Sequence, residues 1–134
     1  MLRDVTSGAT RARAATLPTT GNAELPPPFW CAIHAEPDVV TVAPHGELDL
    51  ASVPALDADL RDLRGVGFAR VVLDLRGLTF IDGAGVHLLL RWAQLAARRR
   101  FEFRVIPGPD RVRLVFALTG VLDRRDADRL RWVA

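Results

Sequence analysis

Among 134 residues there is one cysteine and, although the chain carries 18 basic side chains, not a single lysine. One thiol, Cys31, excludes an internal disulfide framework and any multi-cysteine metal site, and it suits a reducing compartment. No apolar run approaches the roughly 18 residues that cross a bilayer. The opening stretch, MLRDVTSGATRARAATLPTT, has no apolar segment of the secretory kind. A cytoplasmic protein with no membrane partner is therefore expected. Chemistry is equally scarce. His34, His45 and His87 are far apart, and no second ligand stands at a metal-binding interval from any of them. Gly83-Ala84-Gly85 lacks the frame of a phosphate-binding loop and is too short for a dinucleotide fingerprint. No nucleophile–base pair can be assembled from local motifs. The expectation is a protein that is not an enzyme and takes no cofactor and no metal.

What is present is an ordinary globular composition, 49% hydrophobic and 25% charged, in a chain long enough for one domain. Because every basic residue is an arginine, a net charge of only +2 still gives a pI near 9.8. Arg and Asp alternate in DADLRDLR and LDRRDADRLR, which builds solvated, ion-paired faces rather than one positive field. Arg98-Arg99-Arg100 runs into Phe101-Glu102-Phe103-Arg104, and arginines beside aromatics can stack on bases. Cations at a helix C-terminus explain the same run more simply, so no nucleic-acid partner is expected.

Residues 1–28 read as a disordered N-terminal tail. They lack apolar periodicity and end in Pro26-Pro27-Pro28. Leu17-Pro18-Thr19-Thr20-Gly21 matches a sortase-type sorting sequence but stands at the wrong end of the chain, which makes it a coincidence. The domain spans 29–134. Residues 29–35 and 39–43, separated by Glu36-Pro37-Asp38, predict a hairpin, with Cys31 an inert core thiol beside Trp30. A polar loop, His45-Gly46-Glu47-Leu48-Asp49, follows. Ser52 is placed to cap a helix carrying Val53, Leu56, Leu60 and Leu63 on one face, and Gly65 to end it. Residues 71–75 form a strand of the buried type. Asp82 then caps a second helix reaching about Arg98. Its polar residues His87, Arg91, Gln94 and Arg98 make one narrow stripe, opposite Gly85, Leu89, Trp92 and Ala96. A strand at 101–106, a third helix stopped by Gly120, and a weak strand at 130–133 complete the chain. The fold class is α/β, a mixed sheet of about four to five strands with helices packed on it.

The turn from Thr79 to Leu90 stands out, because two glycines and an acidic cap open a helix whose first N–H groups suit close approach of a backbone or an anion. Leu75-Arg76-Gly77-Leu78-Thr79-Phe80-Ile81-Asp82-Gly83-Ala84-Gly85-Val86 resembles the central motif of STAS domains, the anti-sigma factor antagonist family. Gly46-Glu47-Leu48-Asp49 is similar to that family's earlier loop, and residues 109–122 (PDRVRLVFALTGVL) to its third helix and the following turn. The resemblance covers about residues 38–123. It implies the STAS fold and a non-enzymatic module that binds an anti-sigma factor, itself a GHKL-type Ser/Thr kinase, to control sigma-factor-dependent transcription in bacteria. It also implies a partner-binding surface, here Gly46, Glu47, Asp49, Asp82, Gly83, Ala84, Val86, His87 and Leu90, with Val86 and Leu90 as a small apolar contact beside His87. The family's kinases phosphorylate a Ser or Thr directly after the motif Asp. This chain has Gly83 there, which cannot accept phosphate, and the family's final helix reads as shortened or absent. Two other functions stay open: an accessory STAS subunit of a transport or stress-signalling assembly, and a small-molecule or nucleotide sensor using the helix start at residues 83–85.

Overall fold

The computed structural model describes residues 9–14 and 28–118. The element order is β1 (Ala9–Ala14), β2 (Phe29–Ala35), β3 (Val39–Leu48), α1 (Val53–Val66), β4 (Arg70–Asp74), a 3-10 turn (Leu75–Gly77), β5 (Leu78–Ile81), α2 (Gly83–Arg99), β6 (Glu102–Ile106) and α3 (Asp110–Leu118). Six strands make one sheet in the order β1-β2-β3-β4-β6, with β5 paired to β3 outside that path. The β1–β2 and β2–β3 pairs are antiparallel; β3–β4, β3–β5 and β4–β6 are parallel. The sheet is mixed and carries helices, as the element order predicts.

Its core follows from the two periodicities of the sequence. In β2, Phe29, Cys31, Ile33 and Ala35 are buried while the residues between them are only half-buried. In α1, Leu56, Leu60 and Leu63 point inward, and α2 is buried along most of its length, with His87, Arg91 and Arg98 exposed and Gln94 half-buried on the stripe. These side chains form one continuous cluster with Val40, Val42, Leu73, Leu75, Leu78, Phe103 and Val105. Each fully buried leucine or valine contributes about 1.5–3 kcal/mol relative to exposure, which makes this cluster the main source of stability.

Several expectations are corrected. Ala9–Ala14 lies in the segment read as a disordered tail, yet it pairs with β2 through six residues. An edge strand is held by backbone hydrogen bonds, so it needs no apolar alternation and left no such signal. β3 continues through the loop expected at 45–48, because β2 pairs with His45 and Gly46 and β5 with residues 46–48. Helix α1 ends on Gly67, which takes the left-handed conformation at φ 95°, while Gly65 remains helical. Ser52 makes no side-chain cap. Trp30 does not accompany Cys31 in the core; it lies on the other face of β2 and stacks on His45. The stop at Gly120 and the weak strand at 130–133 fall outside the described residues, as do 1–8 and 15–27.

Candidate functional site

The end of β3, the loop after it, β5 and the start of α2 come together at one edge of the sheet. β3 divides its pairing: residues 39–42 pair with β4, and 46–48 pair with β5. The change of partner is marked by a register shift between Gly46 and Glu47. Gly46 has φ +95°, and a Cβ there would sit 2.1 Å from the Pro28 carbonyl oxygen. Only glycine fits that approach. At Gly77 a Cβ would lie 2.4 Å from Nδ1 of His45, so a larger residue would displace that ring from its stack on Trp30.

Asp74 turns the chain from β4 toward β5. Its carboxylate accepts from the Arg76 backbone N–H at 3.0 Å and from the Arg76 guanidinium at 3.0 and 2.8 Å. The side-chain hydrogen bond from Arg76 is the largest influence holding the Asp74 carboxyl below its ordinary range, against a smaller opposing effect of burial. β5 then sets Glu47 beside Phe80 and Leu48 beside Ile81.

The loop after β3 is knitted by two side chains. Asp49 Oδ1 accepts from the backbone N–H groups of Ala51 (3.0 Å) and Ser52 (3.1 Å). The Ser52 hydroxyl donates to the Glu47 carbonyl at 2.7 Å and accepts from the Asp49 N–H at 2.9 Å. Asp49 thus spends its carboxylate on its own loop.

At α2, Asp82 caps as expected, accepting from the Gly85 N–H at 3.1 Å, while its own N–H donates to Leu48 O at 3.2 Å. The helix start proposed for an anion therefore already holds a carboxylate, which opposes a second negative group there. The glycines of this turn differ. A Cβ on Gly85 would meet Ile81 Cγ1 at 2.7 Å and Leu48 O at 3.0 Å, so Gly85 lets the helix approach the strands. A Cβ on Gly83 would meet nothing within 4 Å.

The structure gathers Gly46, Glu47, Asp49, Asp82, Gly83, Ala84 and His87 around this edge, with Glu47 and His87 exposed. It does not bring Val86 and Leu90 to the surface. Val86 is 0% and Leu90 5% exposed, because the apolar sector of α2 is wide enough to turn both into the core. The apolar surface comes from two other residues, Leu50 at 77% and Phe80 at 46% exposure. Strict alternation from Leu78 would have buried Phe80, but β5 reads buried-exposed-exposed-buried. Leu50 had a signal in its polar loop setting, between Asp49 and Ala51. No cluster of His, Cys, Asp or Glu fit to hold a metal occurs among the described residues, and no helix among them is long and apolar enough to cross a membrane.

Comparisons with known proteins agree on the fold. The family model described as "Mlab, STAS domain" matches residues 31–124. A curated relative, the anti-sigma-B factor antagonist of Staphylococcus aureus, is 27% identical over 78 residues, covering 58% of this chain and 72% of that one. Among solved structures, an anti-sigma factor antagonist from Mycobacterium paratuberculosis superposes with a TM-score of 0.56 at 19% identity, over 76% of this chain and 93% of that one. The murine solute carrier 26 family member A9, an anion transporter, gives a TM-score of 0.63 at 15% identity, over 96% of this chain and 21% of the transporter. At such identities the structural matches establish a shared fold.

Proposed function

This chain belongs to the STAS domain family, and on that premise we propose that it is an anti-sigma factor antagonist, a non-enzymatic module that docks on an anti-sigma factor of the Ser/Thr-kinase type and thereby frees a sigma factor for transcription. The observation that carries the reading is the sheet edge where β3 meets β5 and α2 begins: exposed Phe80 pairs with exposed Glu47, the Asp82 N–H at the start of α2 donates to Leu48 O, and exposed Leu50 follows in the loop after β3. Apolar side chains rimmed by charge and a glycine-opened helix suit a protein partner. The named relative in Staphylococcus aureus supports this choice of partner. Gly46, Glu47, Asp82, Gly83, Ala84 and His87 complete the surface, with Asp49 holding the loop that presents Leu50.

Gly83 follows the cap residue Asp82 and has no hydroxyl, so a phosphate-based release of the partner cannot act at this position. Space does not demand glycine there, since a Cβ would meet nothing. Thr79, the nearest hydroxyl, belongs to β5 ahead of the turn. Partner binding is constitutive and is set by protein level or by competition. The test is titration against the anti-sigma kinases of the native host. Wild type binds and takes no phosphate; Gly83→Ser becomes phosphorylated with ATP and then loses affinity. Absence of binding to every such kinase overturns the reading.

The transporter superposition, which takes in 96% of the chain, favours a second reading as the accessory domain of a transport assembly. Co-purification with a membrane permease rather than with a kinase would select it.

A further inference from the structure

α1 and α2 lie side by side along an open groove of about 310 Å³ lined by four arginines together with Asp57, Trp92, Gln94 and Leu95. Arg61 and Arg64 enter it from α1, and Arg91 and Arg98 enter it from α2, one heptad apart. Asp57 is the acidic residue lining it, and that carboxylate is already committed. One oxygen pairs with Arg61 at 2.8 Å and the other accepts from the Trp92 indole N–H at 2.8 Å. Arg64, Arg91 and Arg98 meet no carboxylate within ion-pair distance among the described residues. Among the other described arginines, Arg76 pairs with Asp74 and both Arg70 and Arg104 with Glu102, whereas Arg99, Arg100, Arg111 and Arg113 also meet no carboxylate. The groove differs from those positions in that three guanidinium groups without a carboxylate partner line one concave site.

We propose that this groove binds a compact, multiply charged phosphate compound. Guanidinium forks match phosphate oxygens with paired, charge-assisted hydrogen bonds, and two arginines from each of two helices can grip such a group from opposite sides. The volume lies at the small end of ligand pockets, which run from roughly 300 to 1,000 Å³. Half-buried Leu95 and the edge of Trp92 add apolar surface to the lining. The groove begins one turn of α2 beyond His87 of the docking edge, and its failure would leave the proposed function intact.

Calorimetric titration of the full chain with inorganic pyrophosphate, and in parallel with citrate as a carboxylate of comparable charge, tests it. Saturable one-to-one binding of pyrophosphate is expected, at least tenfold tighter than citrate. Arg91→Glu and Arg64→Glu should each weaken it tenfold or more. Arg111→Glu, the same charge change on α3, should leave it within twofold. Should a charge-reversed chain fail to fold, Arg98→Gln retains the stem and still should weaken binding severalfold. No saturable binding of pyrophosphate at millimolar concentration overturns the proposal. Equal or tighter binding of citrate also overturns it, as does equal weakening by Arg111→Glu.

Discussion

The Trp92 indole nitrogen donates to Asp57 Oδ1 at 2.8 Å, a single hydrogen bond that joins the two long helices across 35 residues of sequence. Asp57 also holds Arg61 one turn along α1. Two packed helices gain a fixed azimuth from such a bond. Trp92→Phe keeps most of the buried area and leaves Asp57 with Arg61, so a loss of about 1 kcal/mol is expected. Asp57→Ala strands the buried indole N–H and should cost about 1–3 kcal/mol. Urea denaturation of the two variants measures both, and equal values would contradict the assignment.

Within the proposed docking surface, Asp49 and His87 answer to different forces. Asp49→Ala removes the acceptor of two backbone N–H groups and should lower stability by about 1–2 kcal/mol as well as weaken partner binding. His87→Glu touches only an exposed side chain and should shift stability by less than about 0.5 kcal/mol while weakening the partner at least as much. Melting curves beside binding titrations separate the two effects.

Gly83 and Gly85, two residues apart, are expected to tolerate alanine very differently. A methyl at position 83 enters open space and should change stability by less than about 0.5 kcal/mol. At position 85 it presses on Ile81 and on the Leu48 carbonyl, and backbone cannot step aside as a side chain can. Overpacking of this kind costs about 1–3 kcal/mol and outweighs the gain in helix propensity of about 1 kcal/mol. Denaturant midpoints of the two variants give the comparison.

Asp74 makes the fold sensitive to acid. Hydrogen bonding from Arg76 depresses its carboxyl in the folded state, so the folded value lies below the unfolded one. The stabilisation is complete above the unfolded carboxylate range, about pH 4, and drains away as pH falls through the folded value. Arg76→Ala should therefore melt below wild type at pH 7, and the gap should narrow once pH drops below about 4. A gap that stays constant from pH 7 to pH 2.5 would assign the loss to something other than this pair.

The pairing of β1 with β2 bears on the proposal that the domain proper begins at residue 29. The core cluster draws on residues 29–116, so a chain starting at Pro28 should still unfold in one cooperative transition. It would, however, bare the β2 edge that β1 covers across six residues. Such edges recruit other chains. Retained cooperativity with new self-association in sedimentation is the expected result; loss of the cooperative transition would place β1 inside the folding unit.

The sequence by itself determined every element whose signal is local. Leu56, Leu60 and Leu63 recur at helical spacing, residues 29–35 form a short apolar run, and Asp82 reaches the N–H three residues ahead, each within a few residues of chain. The motif from Leu75 to Val86 also carried the family resemblance. Tertiary structure decided what depends on partners distant in sequence. Residues 45–48 became strand because β2 pairs with His45 and Gly46 and β5 with residues 46–48, and β1 became strand only against β2. Val86 and Leu90 went to the core because α2 is covered on more sides than one amphipathic stripe implies, whereas Phe80 and Leu50 stayed outside. Backbone pairing and burial are set by neighbours that local periodicity does not contain. For the same reason Arg61 and Arg64 gave no sign of meeting Arg91 and Arg98 until two helices, each satisfying its own pattern, were packed together.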